Sequence, residues 1–161
     1  MGEYVAACVA GMFSLEDGLK LIAARGKLMQ ALPQNGAMVA VFASEERIKT
    51  ALAGYEDRVA IAALNDPTNI VISGEKSAVE EIVRALETEG VKSKALTVSH
   101  AFHSPLMEPM LDAFEQVVSE IEFHEPHVPL ISNLTAQPLR FSVNSDQPSV
   151  IGKQQTVSSD H

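Results

Sequence analysis

At 161 residues, 46% hydrophobic and 20% charged, the chain has the balance of a globular protein sized for one modest domain or two small subdomains. Lys+Arg 12 against Asp+Glu 21 gives a formal net charge of −9, which argues against nucleic acid or an anionic membrane as the main partner. The single cysteine, Cys8, excludes an internal disulfide framework and a cysteine-based zinc site, and it fits a reducing, cytoplasmic setting.

Residues 2–12 are small, apolar and Ala-rich and predict a tightly packed helix ending at Gly11. Residues 14–30 predict a second, with Ser14 as N-cap and a buried stripe of Leu15, Leu19, Ile22, Gly26 and Met29. Leu21 and Leu28 lie off that stripe and widen the surface expected to be buried. From Ala37 the texture changes to strand, helix, strand, strand, helix, strand. The strands fall at 37–42, 59–64, 69–73 and 91–98, and the helices run from Ser44 to Gly54 and from Glu75 to Glu89. This β-α-β-β-α-β order is the ferredoxin-like pattern. After the loop 99–104 comes an amphipathic helix whose buried stripe is Met107, Met110, Leu111, Phe114, Val117, Val118 and Ile121. Its start is expected at Pro109 rather than at Ser104-Pro105, because proline is costly deeper inside a helix. A short strand is expected at 128–132, and a polar, disordered tail from Arg140 onward.

Ser99-His100-Ala101-Phe102-His103-Ser104 joins a strand to a helix, a place where sites commonly form. His103 falls near the helix start, where a neutral imidazole suits a general base; a capped loop with two surface histidines is the plainer alternative. Arg25 flanks an apolar helix face and could take a carboxylate on its fork, or be an ordinary salt-bridge arginine. Asn65 could bind a ligand, although Asn65-Asp66-Pro67 is also turn material. His124 and His127 have no evident third ligand and read as surface residues, so no metal site is expected.

Taken together, several motifs in order carry a family resemblance: Gly2-Glu3-Tyr4-Val5-Ala6-Ala7, Phe13-Ser14-Leu15-Glu16-Asp17-Gly18, Ala24-Arg25-Gly26-Lys27-Leu28-Met29-Gln30, Asn65-Asp66-Pro67 and His100-Ala101-Phe102-His103-Ser104-Pro105-Leu106-Met107. Over residues 2–139 the chain resembles malonyl-type acyltransferase domains of modular polyketide synthases, relatives of malonyl-CoA:acyl-carrier-protein transacylases. The resemblance implies an α/β class: an α/β-hydrolase-like large subdomain, here 1–36 and 99–139, with an inserted ferredoxin-like small one at 37–98. It implies malonyl transfer from malonyl-CoA to the phosphopantetheine thiol of an acyl carrier protein, with no bound cofactor and neighbouring synthase domains as further partners. By similarity His103 is the general base and Arg25 grips the malonyl carboxylate. His100 and Phe102 belong to the specificity loop, and Asn65 lies near the site. A bulky Phe102 in His-Ala-Phe-His resembles malonyl-selective members, where it crowds the space of an α-methyl group.

The family nucleophile is a serine in a Gly-His-Ser-x-Gly elbow. Aligned on it, Gly2 is the last glycine, so the serine is expected immediately ahead of Met1 and the chain is expected to be inactive alone. The far end also departs: relatives continue past Asn133 into a Trp-containing region, and this chain has no Trp. Two rival readings stand beside a truncated transferase. One is a non-catalytic ferredoxin-like module that docks a carrier protein or a synthase domain through Lys76, Arg84, Lys92 and Lys94. The other is half of a split transferase completed in trans.

Overall fold

The computed structural model describes residues 2–133 and 135–139, so the expected tail lies outside the described residues. The described residues divide into two compact units, one formed by those up to Ile22 with those from Val118 on, the other by Ala23–Val117.

The second unit is built on a sheet. Strands β1 (Gly36–Val41), β2 (Val59–Asp66), β3 (Asn69–Glu75) and β4 (Ser93–Ala95) alternate with helices α3 (Glu45–Leu52) and α4 (Lys76–Thr88), counting α1 and α2 in the chain before them. The sheet order is β2-β3-β1-β4 and every pairing is antiparallel. Alternation decides the two faces. Val39 pairs with Ile72 and Val41 with Ile70, and these four side chains form one core with Ile48 and Leu52 of α3 and Ala78, Val79, Ile82 and Leu86 of α4. Ile48, Ile70 and Ile72 are fully buried, each contributing roughly 1.5–3 kcal/mol on removal from water. The intervening residues Ala40, Val71 and Ser73 are buried on the opposite face.

The helices begin and stop as their sequences dictate. Ser44 accepts from the Arg47 N–H at the start of α3, and Gly54 and Gly90, at φ +85° and +82°, follow α3 and α4. β4 is only three residues long rather than the eight expected, although Phe42 N–H donates to the Lys92 carbonyl and Leu96 N–H to the Met38 carbonyl on either side of it. Past those bonds Val98 turns outward, 39% exposed, and the ladder ends.

The start of the last helix also differs from expectation. Pro105–Met110 forms a 3-10 helix with Pro109 inside it, and α5 proper runs Leu111–Ser119. Pro109 lacks the N–H that an α-helix through this point would need, and the tighter 3-10 turn tolerates it. The expected buried stripe is only partly buried: Met110 is buried, whereas Leu111 is 53% exposed.

In the first unit, α1 (Gly2–Val9) buries none of its residues. The segment after it does, through Ala10, Met12 and Phe13, with the Phe13 and Phe123 rings edge to face at 5.9 Å. His124 and His127 donate their backbone N–H groups to the carbonyls of Met12 and Ala10. The strand expected at 128–132 reduces to a single bridge, Ile131 to Pro138. Helix α2 (Leu15–Gln30), which begins in this unit and runs on into the other, is capped by Ser14 as expected, its hydroxyl accepting from Asp17 N–H at 3.0 Å. Its buried positions, however, are Gly18 and Leu21, while Leu15 and Leu19 of the expected stripe are 70% and 59% exposed. The periodicity is helical, but the face it marks is left without cover among the described residues. No helix of the described residues is long and apolar enough to cross a membrane.

Candidate active site

Arg25, Asn65, His100, Phe102 and His103 all fall in the Ala23–Val117 unit. Arg25 sits in the second half of α2, half-buried, and among the described residues no carboxylate pairs with it. Asn65 is exposed near the end of β2, just before the Pro67-Thr68 hairpin turn. That turn is held locally, because Asp66 Oδ1 accepts from the Thr68 N–H at 2.7 Å and from its hydroxyl at 3.0 Å. No hydrogen bond or ion pair joins Arg25 or Asn65 to the loop at 100–104 among the described residues.

That loop is built from three anchors and two presented side chains. His100 is 2% exposed, and its Nε2 lies 3.1 Å from the Leu32 carbonyl oxygen. A carbonyl only accepts, so Nε2 carries the proton of this bond. Ala101 is buried against Gly36 so closely that a Cβ on Gly36 would stand 2.4 Å from the Ala101 methyl and 2.9 Å from Leu106 Cδ1. Ser104 is buried, and its hydroxyl donates to the Ala101 carbonyl at 2.6 Å instead of capping the turn that follows.

Between these anchors, Phe102 is half-buried, its ring 6.1 Å from that of His100 and tilted by 49°. His103 is exposed and adopts a left-handed backbone, φ +60°. Outside glycine that conformation costs roughly 1–2 kcal/mol and persists where the surroundings impose it. The Phe102 N–H to His100 carbonyl bond at 3.0 Å and the Ser104 bond close the loop on both sides of the strained residue. The result is an imidazole held outward on an immobilised loop, able to exchange a proton with a hydroxyl or thiol brought to it.

Three members of this arrangement were not legible as site residues. Leu32 contributes only a carbonyl, which no side-chain pattern announces. Gly36 contributes the absence of a side chain. Ser104, a helix-cap candidate by its place before proline, spends its hydroxyl on the loop. Elsewhere, a groove of about 610 Å³ runs between α4 and the β1–β4 edge, lined among others by Lys76, Val79, Glu80, Arg84 and Leu96. No group of three or more His, Cys, Asp or Glu among the described residues is placed to hold a metal ion.

The sequence profile of the acyl transferase domain family matches residues 1–160, and the chain belongs to that family. More narrowly, it is 50% identical over 135 residues to the polyketide synthase GfsA of Streptomyces halstedii, a match covering 84% of this chain and 2% of the synthase. Mycoketide-CoA synthase of Mycobacterium tuberculosis is 50% identical over 137 residues, covering 85% of this chain and 3% of that protein. Among solved structures, the acyltransferase domain from the second module of the salinomycin polyketide synthase matches with a TM-score of 0.81 and 52% identity, over 88% of this chain and 34% of that one. The malonyl-CoA:acyl carrier protein transacylase FabD from Xanthomonas oryzae matches at 0.78 and 34%, over 88% of this chain and 47% of that one. The chain is therefore an acyltransferase by family, with an α/β fold shared with these domains, and it spans a small part of the synthases and less than half of the solved domains.

Proposed function

We propose that this chain is part of a malonyl-selective acyltransferase domain of a cytoplasmic polyketide synthase, which moves malonyl from malonyl-CoA to the phosphopantetheine thiol of an acyl carrier protein. The observation that carries the reading is the strained, outward-facing His103 beside Phe102 on a loop pinned at three points. In the reaction, a serine hydroxyl attacks the thioester carbonyl while His103 takes its proton, and the CoA thiolate leaves with that proton. The carrier thiol then attacks the acyl-serine ester, giving its proton to His103, which returns it to the serine. Arg25, a guanidinium that no carboxylate pairs among the described residues, is the group to hold the free carboxylate of the malonyl unit bidentately. Phe102 narrows the acyl site against an α-methyl group, a discrimination typically worth about 1–3 kcal/mol, and Asn65 lies at its margin.

The β-α-β-β-α-β order and the antiparallel β2-β3-β1-β4 sheet with two helices on one face support an inserted ferredoxin-like subdomain over 37–98. The flanking helices then belong to the large subdomain. The docking-module alternative is less well supported, because the groove beside α4 carries Glu80 and Glu87 as well as Lys76 and Arg84, a mixed surface for an acidic carrier.

Labelled malonyl-CoA tests the proposal. The chain alone is expected to take up no label. A co-expressed segment bearing the Gly-His-Ser-x-Gly elbow is expected to become acylated only when this chain is present, and His103→Ala in this chain is expected to lower that acylation by at least about a hundredfold. Stable acylation of the isolated chain would overturn the missing nucleophile. Acylation of the serine segment that ignores His103→Ala would overturn the base.

A further inference from the structure

We propose that His100 is a positioning residue rather than a substrate contact: its hydrogen bond to the Leu32 carbonyl sets the left-handed backbone that presents His103. Its consequence for acyl transfer rests on the reading of His103 as the base, but the conformational claim stands on geometry alone.

His100 is 2% exposed, so its ring has almost no surface left to offer a ligand. Its Nε2–H is directed at a backbone carbonyl 3.1 Å away in the short link between α2 and β1, a contact spanning 68 positions of sequence. Three residues on, His103 holds φ +60°, a conformation that reverts to the right-handed or extended regions unless both flanks are fixed. The C-terminal flank is fixed by the buried Ser104 hydroxyl on the Ala101 carbonyl. The N-terminal flank has the seat of Ala101 on Gly36, which is apolar contact and gives no direction, and the His100 bond, which does. Phe102 is tied to the same residue, since its N–H donates to the His100 carbonyl and its ring lies 6.1 Å from the imidazole. Release of His100 would therefore free the orientation of both presented side chains together. Leu32 lies two residues past the end of α2, the helix that bears Arg25, so one bond also ties the loop to the link that follows the guanidinium's helix.

The test uses the full chain, labelled for nuclear magnetic resonance. The backbone shifts and couplings of His103 report its left-handed φ, and hydrogen exchange of the Phe102 amide reports its bond to the His100 carbonyl. His100→Phe keeps a ring of similar size without the donor; His100→Gln keeps an amide donor. With His100→Phe, the His103 signature is expected to be lost or averaged, and the exchange of the Phe102 amide to quicken at least tenfold. The amides of Val41, Ile70 and Ile72 in the sheet should exchange as in the wild type. His100→Gln is expected to restore most of the His103 signature. An unchanged His103 in His100→Phe would overturn the proposal. So would loss of the whole sheet in both variants, since His100 would then serve the unit's stability and not the loop. Where the reconstituted domain transfers malonyl, His100→Phe should lower kcat about tenfold with little change in KM; an unchanged kcat would overturn the catalytic consequence. If no combination transfers malonyl, the functional reading falls while the conformational result still decides this one.

Discussion

Ser73 on β3 is fully buried, on the sheet face opposite α3 and α4, and its hydroxyl has no hydrogen-bond partner among the described atoms. It pairs across the ladder with Met38, so an apolar side chain would meet apolar company. A buried hydroxyl without a partner forfeits its hydration and gains nothing in return, a penalty of about 1–3 kcal/mol less whatever packing its oxygen supplies. Ser73→Ala is therefore expected to raise stability by about 1 kcal/mol in urea unfolding, with an unchanged m-value. A loss of stability of that size would mean that an ordered water, not a void, faces the hydroxyl. At this same scale the sequence was least informative. His103 and Arg25 could be singled out because their chemistry is carried by side chains. The anchors that hold the loop could not, because Leu32 acts through its carbonyl and Gly36 through the absence of a side chain.

Between the elements of the sheet unit, one charged cluster connects three of them. Arg58, just ahead of β2, donates Nε and Nη2 to the two carboxylate oxygens of Glu75, at 2.9 and 3.1 Å, where β3 gives way to α4. Ser77 in the first turn of α4 donates to Glu75 at 2.6 Å and accepts from Arg58. The Arg58 hydrogen bonds, then that of Ser77, hold the Glu75 carboxyl at about 2, well below its ordinary 4.5. A depressed carboxyl contributes stability that is present in full above about pH 4.5 and disappears as pH falls towards 2. Glu75→Gln is expected to lower stability at pH 7 and to flatten the acid side of the stability curve in that window, as read by thermal unfolding across pH. A variant whose curve keeps the wild-type acid slope would show that the cluster is surface decoration.

The elements themselves were largely legible. The alternating apolar residues of β1 to β3, the single apolar stripe of α4 and the glycines at 54 and 90 each follow from local rules that tertiary contacts did not override. The departures arose where the partner decides. β4 pairs with β1 only over Ser93–Ala95, and α5 begins late because Pro109 takes a 3-10 turn. The stripe of α2 was read with the correct period and the wrong cover, since periodicity says which residues share a face and not whether anything lies on it.

For the molecule as a whole, those uncovered stripes are the feature to explain. Val5 and Val9 on α1 are 58% and 71% exposed, and Leu15 and Leu19 on α2 are 70% and 59% exposed, each pair four residues apart and so on one side of its helix. Each leucine left in water forgoes roughly 1.5–3 kcal/mol that burial would return. The chain spans 34% of the salinomycin acyltransferase domain whose fold it follows, and the remaining parts of such a domain are the proposed cover. Replacing Leu15 and Leu19 together by Lys separates this from a helix that is apolar by accident. Lys is close to Leu in helix propensity, so circular dichroism should be unchanged. The isolated double variant is expected to remain monomeric at concentrations where the wild-type chain self-associates through its exposed leucines. With a serine-bearing segment supplied, the same variant should support at least tenfold less malonyl transfer than wild type, because lysines at a buried seam leave unpaired charges. Equal transfer by the two chains would mean that α2 meets solvent in the assembled domain as well, and that the stripe marks no seam.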